Sequence, residues 1–396
     1  MRTFITVEKD AAVPDVDVWL FLLDDGQSLL AASWEDDGKL MVGRFDPDRG
    51  VKSADRVVFE PGDIAGYDTL HDHWHIYVPS TGSHWIAFSL EDAYGDHTVG
   101  LVKFDSSFTV EWGPMLVQDL PLGTITSVTN DLYMAETADG VAIFIPDFGA
   151  RGVTAILVDA AGGYLDKEPL RQGGFAFSHG GSATYDSSLV SWTILAPATL
   201  DPCSQSAITR VELAYDWSES SSVLLDAIQG GITYNLAMPM AVTLPSGARA
   251  MVVRRRPIVP CVPGEDAGEI LLYVFDASWN PIGLGVPYQI AAIGNRPHIL
   301  YYVDADGNGK VIVTWDDAEG AYFWVAMVWV DNLSVTDVPI ESVGPAEFLP
   351  ETEARWENLR VRRERDLTGY PGPPEHWELD ESRFYHRYWR PRDSWG

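Results

Sequence analysis

The sequence predicts an all-β fold built from repeats, and two observations carry that prediction. Six short apolar segments each end in an aromatic residue or a valine that is followed by aspartate. These aspartates are Asp46, Asp105, Asp159, Asp216, Asp276 and Asp331, so the intervals between them are 59, 54, 57, 60 and 55 residues. Near-equal intervals of this size indicate a repeat architecture.

Each repeat contains four strand-like segments in the same order. The last repeat has "PHILYYVD", "KVIVTWDD", "YFWVAMVWVD" and "SVTDVPIE", and the second has "WHIYV", "HWIAFS", "TVGLVKFD" and "FTVEWGPMLV". β-Branched and aromatic residues fill the segments, and turn-forming residues such as those of "DADGNG" separate them. Four antiparallel strands per repeat predict a six-bladed β-propeller around a central channel. The alternative, a pair of β-sandwiches, would give no reason for six equal units.

The repeats set the expected domain organisation. The blades are expected at residues 15–62, 67–120, 124–171, 173–229, 230–290 and 291–343. Residues 2–8 read as an extra strand that completes the last blade and hides its open edge. Residues 353–365 are the only segment with a helical pattern, and they fall in a C-terminal arm, residues 344–396, that follows the last blade.

The chain resembles six-bladed β-propellers at the level of architecture and matches no specific family among them. The sialidase Asp-box is missing and no Trp-Asp dipeptide recurs. Glycine pairs at 173–174 and 230–231 are similar to those of kelch repeats, but the pairing does not recur at the matching place in the other blades. No G-x-S-x-G, phosphate-binding loop or dinucleotide fingerprint is present. The resemblance therefore implies a fold and no particular function.

The net charge of the chain restricts the kinds of partner that it can bind. The 396 residues carry a formal charge of −31. Such a charge argues against binding to nucleic acid or to an anionic membrane surface, and it favours cationic partners and ions. The first residues contain no signal peptide, and no run of 18 apolar residues exists to span a membrane.

Histidines cluster in "HDHWHIYVPSTGSHW", residues 71–85. Strand alternation puts His71, His73 and His75 on one side. Aligning "IYV" of the second blade with "YYV" of the sixth matches His73 to His298 and His71 to Arg296, while His75 matches an ordinary strand position and His84 is expected in an exposed turn. The predicted ligand-binding residues at the channel mouth are His71, His73, His179, Arg296 and His298. They form a transition-metal site, an organic-ligand site or a polar, water-lined channel.

A second metal candidate is "DADGNGK", residues 304–310. Asp304, Asp306 and Asn308 occupy the first, third and fifth positions of a calcium loop, but Ile312 and Trp315 stand where the later ligands belong. The alternative is a simple hairpin turn between two strands. No cofactor is expected otherwise. The six blade-end aspartates are interpreted as turn residues that accept hydrogen bonds from nearby backbone.

Two cysteines, Cys203 and Cys261, lie in the connections between the second and third strands of neighbouring blades. Such connections emerge on one face of a propeller, so a disulfide between them is expected. It implies an oxidising destination, which a chain without a signal peptide reaches after removal of a leader or by cell lysis, as a virion component does.

The arm combines nine arginines with many aromatic residues. Tryptophan, tyrosine and arginine commonly anchor interfaces. The expected interface residues are Trp356, Trp377, Tyr385, Tyr388, Trp389, Arg390 and Trp395, which dock on the chain's own propeller or on a neighbouring subunit.

The main functional hypothesis is a non-enzymatic structural, adhesion or interaction module of a larger assembly, on a virion or extracellular surface, with protein subunits as partners. One alternative is a secreted carbohydrate-active enzyme that uses a channel metal or channel-mouth carboxylates, for which Asp15, Asp17, Asp72 and Asp131 are candidates. The other is a lectin-like binder of a glycan or small ligand.

Overall fold

The computed structural model describes residues 2–8, 20–36, 38–46, 51–52, 56–95, 97–117, 132–138, 140–147, 152–170, 181–197, 204–258, 267–282, 287–304, 307, 309–316, 322–329, 377–379 and 389–391. Within these ranges every regular element is a β-strand. No helix among them has the length and apolar character needed to cross a membrane.

The strands are numbered in chain order. The first nine are β1 (Arg2–Glu8), β2 (Phe21–Leu23), β3 (Leu30–Asp36), β4 (Lys39–Asp46), β5 (Val51–Lys52), β6 (Arg56–Phe59), β7 (Tyr67–Val78), β8 (Ser83–Asp92) and β9 (His97–Asp105). The next nine are β10 (Val110–Leu116), β11 (Tyr133–Glu136), β12 (Gly140–Asp147), β13 (Gly152–Asp159), β14 (Tyr164–Leu170), β15 (Ser182–Asp186), β16 (Ser191–Pro197), β17 (Ile208–Ala214) and β18 (Glu219–Leu225). The last nine are β19 (Ile228–Gln229), β20 (Ile232–Thr243), β21 (Arg249–Pro257), β22 (Gly268–Phe275), β23 (Tyr288–Val303), β24 (Gly309–Asp316), β25 (Tyr322–Trp329), β26 (Trp377–Leu379) and β27 (Trp389–Pro391).

Hydrogen bonds arrange these strands into antiparallel sheets. The first sheet has the order β2-β3-β4-β5, with β6 also paired to β4. The next three are four-stranded, with the orders β10-β9-β8-β7, β11-β12-β13-β14 and β15-β16-β17-β18. The fifth has eight strands, in the order β1-β25-β24-β23-β22-β21-β20-β19. β26 and β27 form a separate pair.

The architecture is an all-β propeller, as predicted, but it contains five sheets where six separate blades were expected. The difference lies in β23, a single strand of 16 residues. Its first part pairs with β22 and its second part, from Asn295, pairs with β24. One continuous strand therefore joins the segments expected as the fifth and sixth blades, and the boundary expected between residues 290 and 291 falls inside it.

The innermost strands enclose the channel. Among the described residues, β2, β7, β11, β15, β20 and β23 contact one another in this order, and β23 contacts β2 to close the ring. At the outer side of the eight-stranded sheet, β1 pairs with β25 over all seven of its residues, from Arg2 to Glu8. This pairing covers an edge that would otherwise expose unpaired backbone groups.

Apolar residues between neighbouring sheets hold the ring together. One cluster joins the first sheet to the second through residues such as Val42, Phe59 and Phe88. Another joins the first sheet to the eight-stranded sheet through Leu22 and Ile312. Middle strands such as β8 and β24 are buried on both faces, so they read as apolar runs rather than as strict alternation.

The blade-end aspartates act as turn residues where the structure describes their partners. Oδ1 of Asp105 accepts hydrogen bonds of 2.8 Å from the backbone N–H groups of Ser107 and Thr109. Asp276 binds the N–H groups of Ser278 and Asn280 in the same way, and Asp159 and Asp216 accept similar bonds. The hydrogen bonds confirm the predicted turn role for these four aspartates. Asp331 lies outside the described residues.

A close backbone approach in the third sheet requires a glycine. A Cβ at Gly140 would lie 2.0 Å from the carbonyl oxygen of Val158 on the paired strand. We expect Gly140→Ala to lower the free energy of unfolding by about 1–3 kcal/mol, because the strands must separate to admit the methyl group. Urea denaturation measures the change. Gly82→Asn is the control, since Gly82 has open space around it and asparagine tolerates its φ of +66°. An equal loss in both variants would contradict this explanation.

Candidate functional site

Three polar side chains from two innermost strands meet beside the channel. His73 lies on β7, and Arg296 and His298 lie on β23. Phe21 of β2 makes T-shaped ring contacts with both histidines, at centroid distances of 5.1 Å to His73 and 4.8 Å to His298. Because β2 lies between β23 and β7 in the ring, three sheets meet here. We call His73, Arg296 and His298 the channel group.

Both histidines of the channel group are neutral at physiological pH. Burial lowers the pKa of His298 to about 3. Burial also lowers the pKa of His73 to about 3; a hydrogen bond with Ser33 opposes this shift and the positive charge of Arg296 adds to it. A neutral imidazole has one N–H donor and one acceptor nitrogen. The channel group therefore places two uncharged imidazoles, one of them already hydrogen-bonded to Ser33, beside one guanidinium.

The channel group also shows two signs of a binding site. Nδ1 of His298 is buried and has no hydrogen-bond partner among the described residues, and the residue is only 6% exposed. Arg296 has a φ of +46°, in the left-handed region that residues other than glycine seldom adopt. Unsatisfied buried polar atoms and strained backbone are concentrated at functional sites. Next to it, Asn295 accepts a hydrogen bond of 2.9 Å from Nη1 of Arg254 on β21.

A buried chain of hydrogen bonds leads away from His73. Oγ of Ser33 lies 3.1 Å from Nε2 of His73 and 2.9 Å from Nδ1 of His75. Nε2 of His75 lies 3.1 Å from Nδ1 of His84, and Nε2 of His84 lies 3.0 Å from Oδ2 of Asp25. Asp25 in turn accepts a hydrogen bond of 2.7 Å from Arg44. We call this set the buried relay.

The buried relay corrects the expectation for two histidines. His84 was expected in an exposed turn, but it is 0% exposed and its ring stacks on Phe104 at a centroid distance of 5.2 Å. His75 was expected at an ordinary strand position, and it links Ser33 to His84 instead. The sequence reasoning missed both because the partners come from the first sheet, 42 and 59 residues away from them.

His71 does not join the channel group. Its Nε2 pairs with Oε2 of Glu91 on β8, and its ring lies 5.3 Å from that of His97 on β9. The alternation argument placed His71 and His73 on one side, but β7 has a register shift between Leu70 and Asp72. A bulge of this kind re-aims a side chain.

Several predicted sites fall wholly or partly outside the described residues. These are His179, the cysteines Cys203 and Cys261, the calcium candidates Asp306 and Asn308, and the carboxylates Asp15, Asp17 and Asp131. Asp304 is described, and its carboxylate lies 3.0 Å from Nζ of Lys310. The N–H of Gly307 donates to the carbonyl of Asp304, which is the geometry of a turn. The calcium and disulfide predictions stay predictions.

The structure describes only two short strands of the arm. β26 and β27 pair antiparallel, with Trp377 opposite Pro391 and Leu379 opposite Trp389. Arg390 lies opposite Glu378. The segment with a helical pattern and the residues Trp356, Tyr385, Tyr388 and Trp395 lie outside the described residues, so the docking of the arm stays a prediction.

A shallow cavity of about 490 Å³ opens at the fourth and fifth sheets. Arg255 lies over the ring of Tyr234 at 4.6 Å and donates to Gln229 and Glu269 at 2.9 Å each. Strand alternation along Arg254–Arg256 places Arg255 on the opposite face of β21 from Arg254 and Arg256.

Comparisons with known proteins identify the fold. No protein-family model and no curated protein matches the chain. A Hadza microbial sialidase is 14% identical with a TM-score of 0.50, and the match covers 79% of this chain and 66% of that one. An exo-β-1,3-galactanase from Phanerochaete chrysosporium is 9% identical with a TM-score of 0.44, and the match covers 83% and 96%. An endo-arabinase from Bacteroides thetaiotaomicron is 14% identical with a TM-score of 0.38, and the match covers 82% and 97%. At these identities the likeness shows the fold alone.

Proposed function

We propose that the protein binds carbohydrate at the channel through His73, Arg296 and His298. This is the lectin-like or carbohydrate-active alternative of the sequence analysis, and it takes the place of the assembly-module hypothesis. The observation that carries it is the buried Nδ1 of His298, which has no hydrogen-bond partner among the described residues. A bound hydroxyl group would satisfy that nitrogen, whose desolvation otherwise costs about 1–3 kcal/mol.

The channel group has the chemistry that sugars require. Each hydroxyl of a sugar both donates and accepts a hydrogen bond, and a neutral imidazole can answer either role. Arg296 adds planar N–H donors, which suit hydroxyl pairs and also a carboxylate on an acidic sugar. Phe21 is buried behind the histidines, and its ring contacts hold both imidazoles in place.

Carbohydrate is also the class of substrate that the names of the galactanase and the arabinase give for those two proteins. Hydrolysis would further need a positioned acid and base. Asp72 is buried and its Oδ1 accepts the backbone N–H of His73 at 2.8 Å, so it is the described carboxylate that adjoins the channel group in sequence. We therefore propose binding as the function, and the same reaction mixtures measure hydrolysis.

We propose further that the eight-stranded sheet works as two blades that share β23. Its β20-β21-β22 part and its β24-β25-β1 part each form a blade of four strands with one half of β23. Six innermost strands then line the channel. The two proposed blades meet at Asn295, which lies next to Arg296 of the channel group. The positive φ of Arg296 and the register shift between Asn295 and His298 support this division.

Replacing Arg296 by glutamine is expected to weaken carbohydrate binding at least tenfold, because the substitution removes the guanidinium fork while keeping a polar side chain. His298→Ala is expected to weaken it by a similar factor. Isothermal titration of the full chain with neutral pentose and hexose oligosaccharides, and with a uronic-acid oligosaccharide, measures the affinities. Release of reducing sugar in the same mixtures reports hydrolysis.

Lys39→Gln is the matched control, since Lys39 lies on β4, pairs with Glu60 on the exposed surface and carries the same charge as Arg296. It is expected to change no affinity by more than about twofold. Binding of none of the saccharides by the wild-type protein would refute the proposal. So would equal binding by the wild type, Arg296→Gln and His298→Ala.

A further inference from the structure

A second polar cluster lies on three adjacent strands of the second sheet. His71 is on β7, Glu91 on β8 and His97 on β9. One ligand atom from each side chain, a ring nitrogen of each histidine and a carboxylate oxygen of Glu91, lies within 4.8 Å of the other two. None of the three is used by the channel group or by the buried relay.

The strand register explains how the cluster forms. Glu91 lies directly opposite His97 in the β8–β9 pair, so the two side chains emerge on the same face of the sheet. His71 sits in the bulge of β7 between Leu70, opposite Leu90, and Asp72, opposite Ser89. The bulge turns the imidazole of His71 onto the carboxylate of Glu91, and the two are in hydrogen-bond contact.

The ligand set suits a transition metal. Two imidazole nitrogens and one carboxylate form a common protein ligand set for zinc, with a fourth position left for water. Ligands about 2.0–2.1 Å from a tetrahedral zinc ion are about 3.3 Å apart. The widest separation in the cluster must therefore shorten by up to about 1.5 Å, and the hydrogen-bonded atoms of His71 and Glu91 must move slightly apart. The side chains of His71 and Glu91 are 23% and 30% exposed, which leaves room for that adjustment and for a bound water. Calcium and magnesium prefer oxygen ligands, so two imidazole nitrogens make this cluster a poor site for either ion.

We propose that His71, Glu91 and His97 form a zinc site with one coordination position open to solvent. The formal charge of −31 on the chain raises the local concentration of divalent cations and so favours loading. His71 and His73 both lie on β7, two residues apart. An ion held by His71 would therefore lie close to the channel group. The proposal does not depend on carbohydrate binding.

Titration of the metal-free full chain, carrying no histidine tag, with zinc chloride tests the site. We expect one zinc ion per chain with a Kd in the micromolar range or below. Glu91→Gln and His97→Gln are each expected to weaken it at least tenfold, since each removes one of three ligands. Glu60→Gln is the matched control, because it removes a carboxylate that pairs with Lys39 on the surface, and it is expected to leave the Kd unchanged within about twofold.

X-ray absorption of the zinc-loaded wild type gives a second readout that needs no variant. Two imidazole nitrogens and at least one carboxylate or water oxygen are expected in the first coordination shell. Absence of zinc binding at about 100 μM, equal affinity in the wild type and both site variants, or a shell without two imidazoles would each overturn the proposal. If the variants lose their β-sheet circular dichroism, the absorption spectrum decides alone.

Discussion

Replacing Asp25 by alanine is expected to lower the free energy of unfolding by about 3–5 kcal/mol. The carboxylate of Asp25 is fully buried and accepts hydrogen bonds from Arg44 at 2.7 Å and from His84 at 3.0 Å. Burial alone would raise the pKa of Asp25, but the hydrogen bonds from His84 and Arg44 outweigh it and lower the pKa to about 2. Removing the carboxylate takes away the buried anionic acceptor that Arg44 and His84 share at the end of the buried relay, which is why the loss is large.

Asp24→Ala is the matched control for this substitution. Asp24 adjoins Asp25, is exposed, and accepts one hydrogen bond of 3.0 Å from the N–H of Gly26. Its replacement is expected to cost less than about 1 kcal/mol. Urea denaturation at pH 7 gives both free energies by linear extrapolation. A loss below about 1 kcal/mol for Asp25→Ala would show that the buried relay contributes little to stability.

Lowering the pH from 7 to 5 is expected to remove about 4 kcal/mol of stability through the two histidines of the channel group. Burial holds the folded-state pKa of His73 and of His298 at about 3, against an ordinary value of 6.5. Below pH 6.5 the unfolded chain binds a proton at each histidine and the folded chain does not. Stability from these groups is therefore complete above pH 6.5 and falls as the pH drops towards 3.

Urea denaturation at pH 7, 6 and 5 measures this acid loss, and His298→Gln should reduce it by about 2 kcal/mol because one proton uptake disappears. His75 adds to the loss, since burial lowers its pKa as well. Asp25 acts in a lower window: its stabilisation is present above pH 3.8 and is lost towards pH 2. A stability independent of pH between 7 and 5 would contradict neutral, buried histidines in the fold.

Much of the fold follows from local patterns in the chain. Apolar segments spaced by about 57 residues predicted the β-propeller, and the aspartate at the end of a strand predicted the turns that Asp105 and Asp276 form. A turn depends on residues within four positions, so a sequence pattern can specify it. The continuity of β23 could not be read in this way, because a strand that pairs with two partners has no turn signal at its middle.

Only part of the candidate site could be predicted from the sequence. Comparing repeats matched His73 to His298, and the structure brings these two residues together around Phe21. The same comparison put His71 beside them and left His84 exposed. A bulge in β7 sends His71 to Glu91, and the packing of the first sheet against the second encloses His84. Both outcomes depend on register shifts and inter-sheet contacts, which leave no periodic trace in the chain.

The sequence by itself determined the class of fold, the repeat length and the turn chemistry, because these depend on strand alternation and on residues adjacent in the chain. The tertiary structure decided how the histidines divide among the channel group, the buried relay and the proposed zinc site. It also decided their charge: desolvation depends on which sheets cover an imidazole, and those sheets come from residues 40 or more positions away, as Ser33 does for His73.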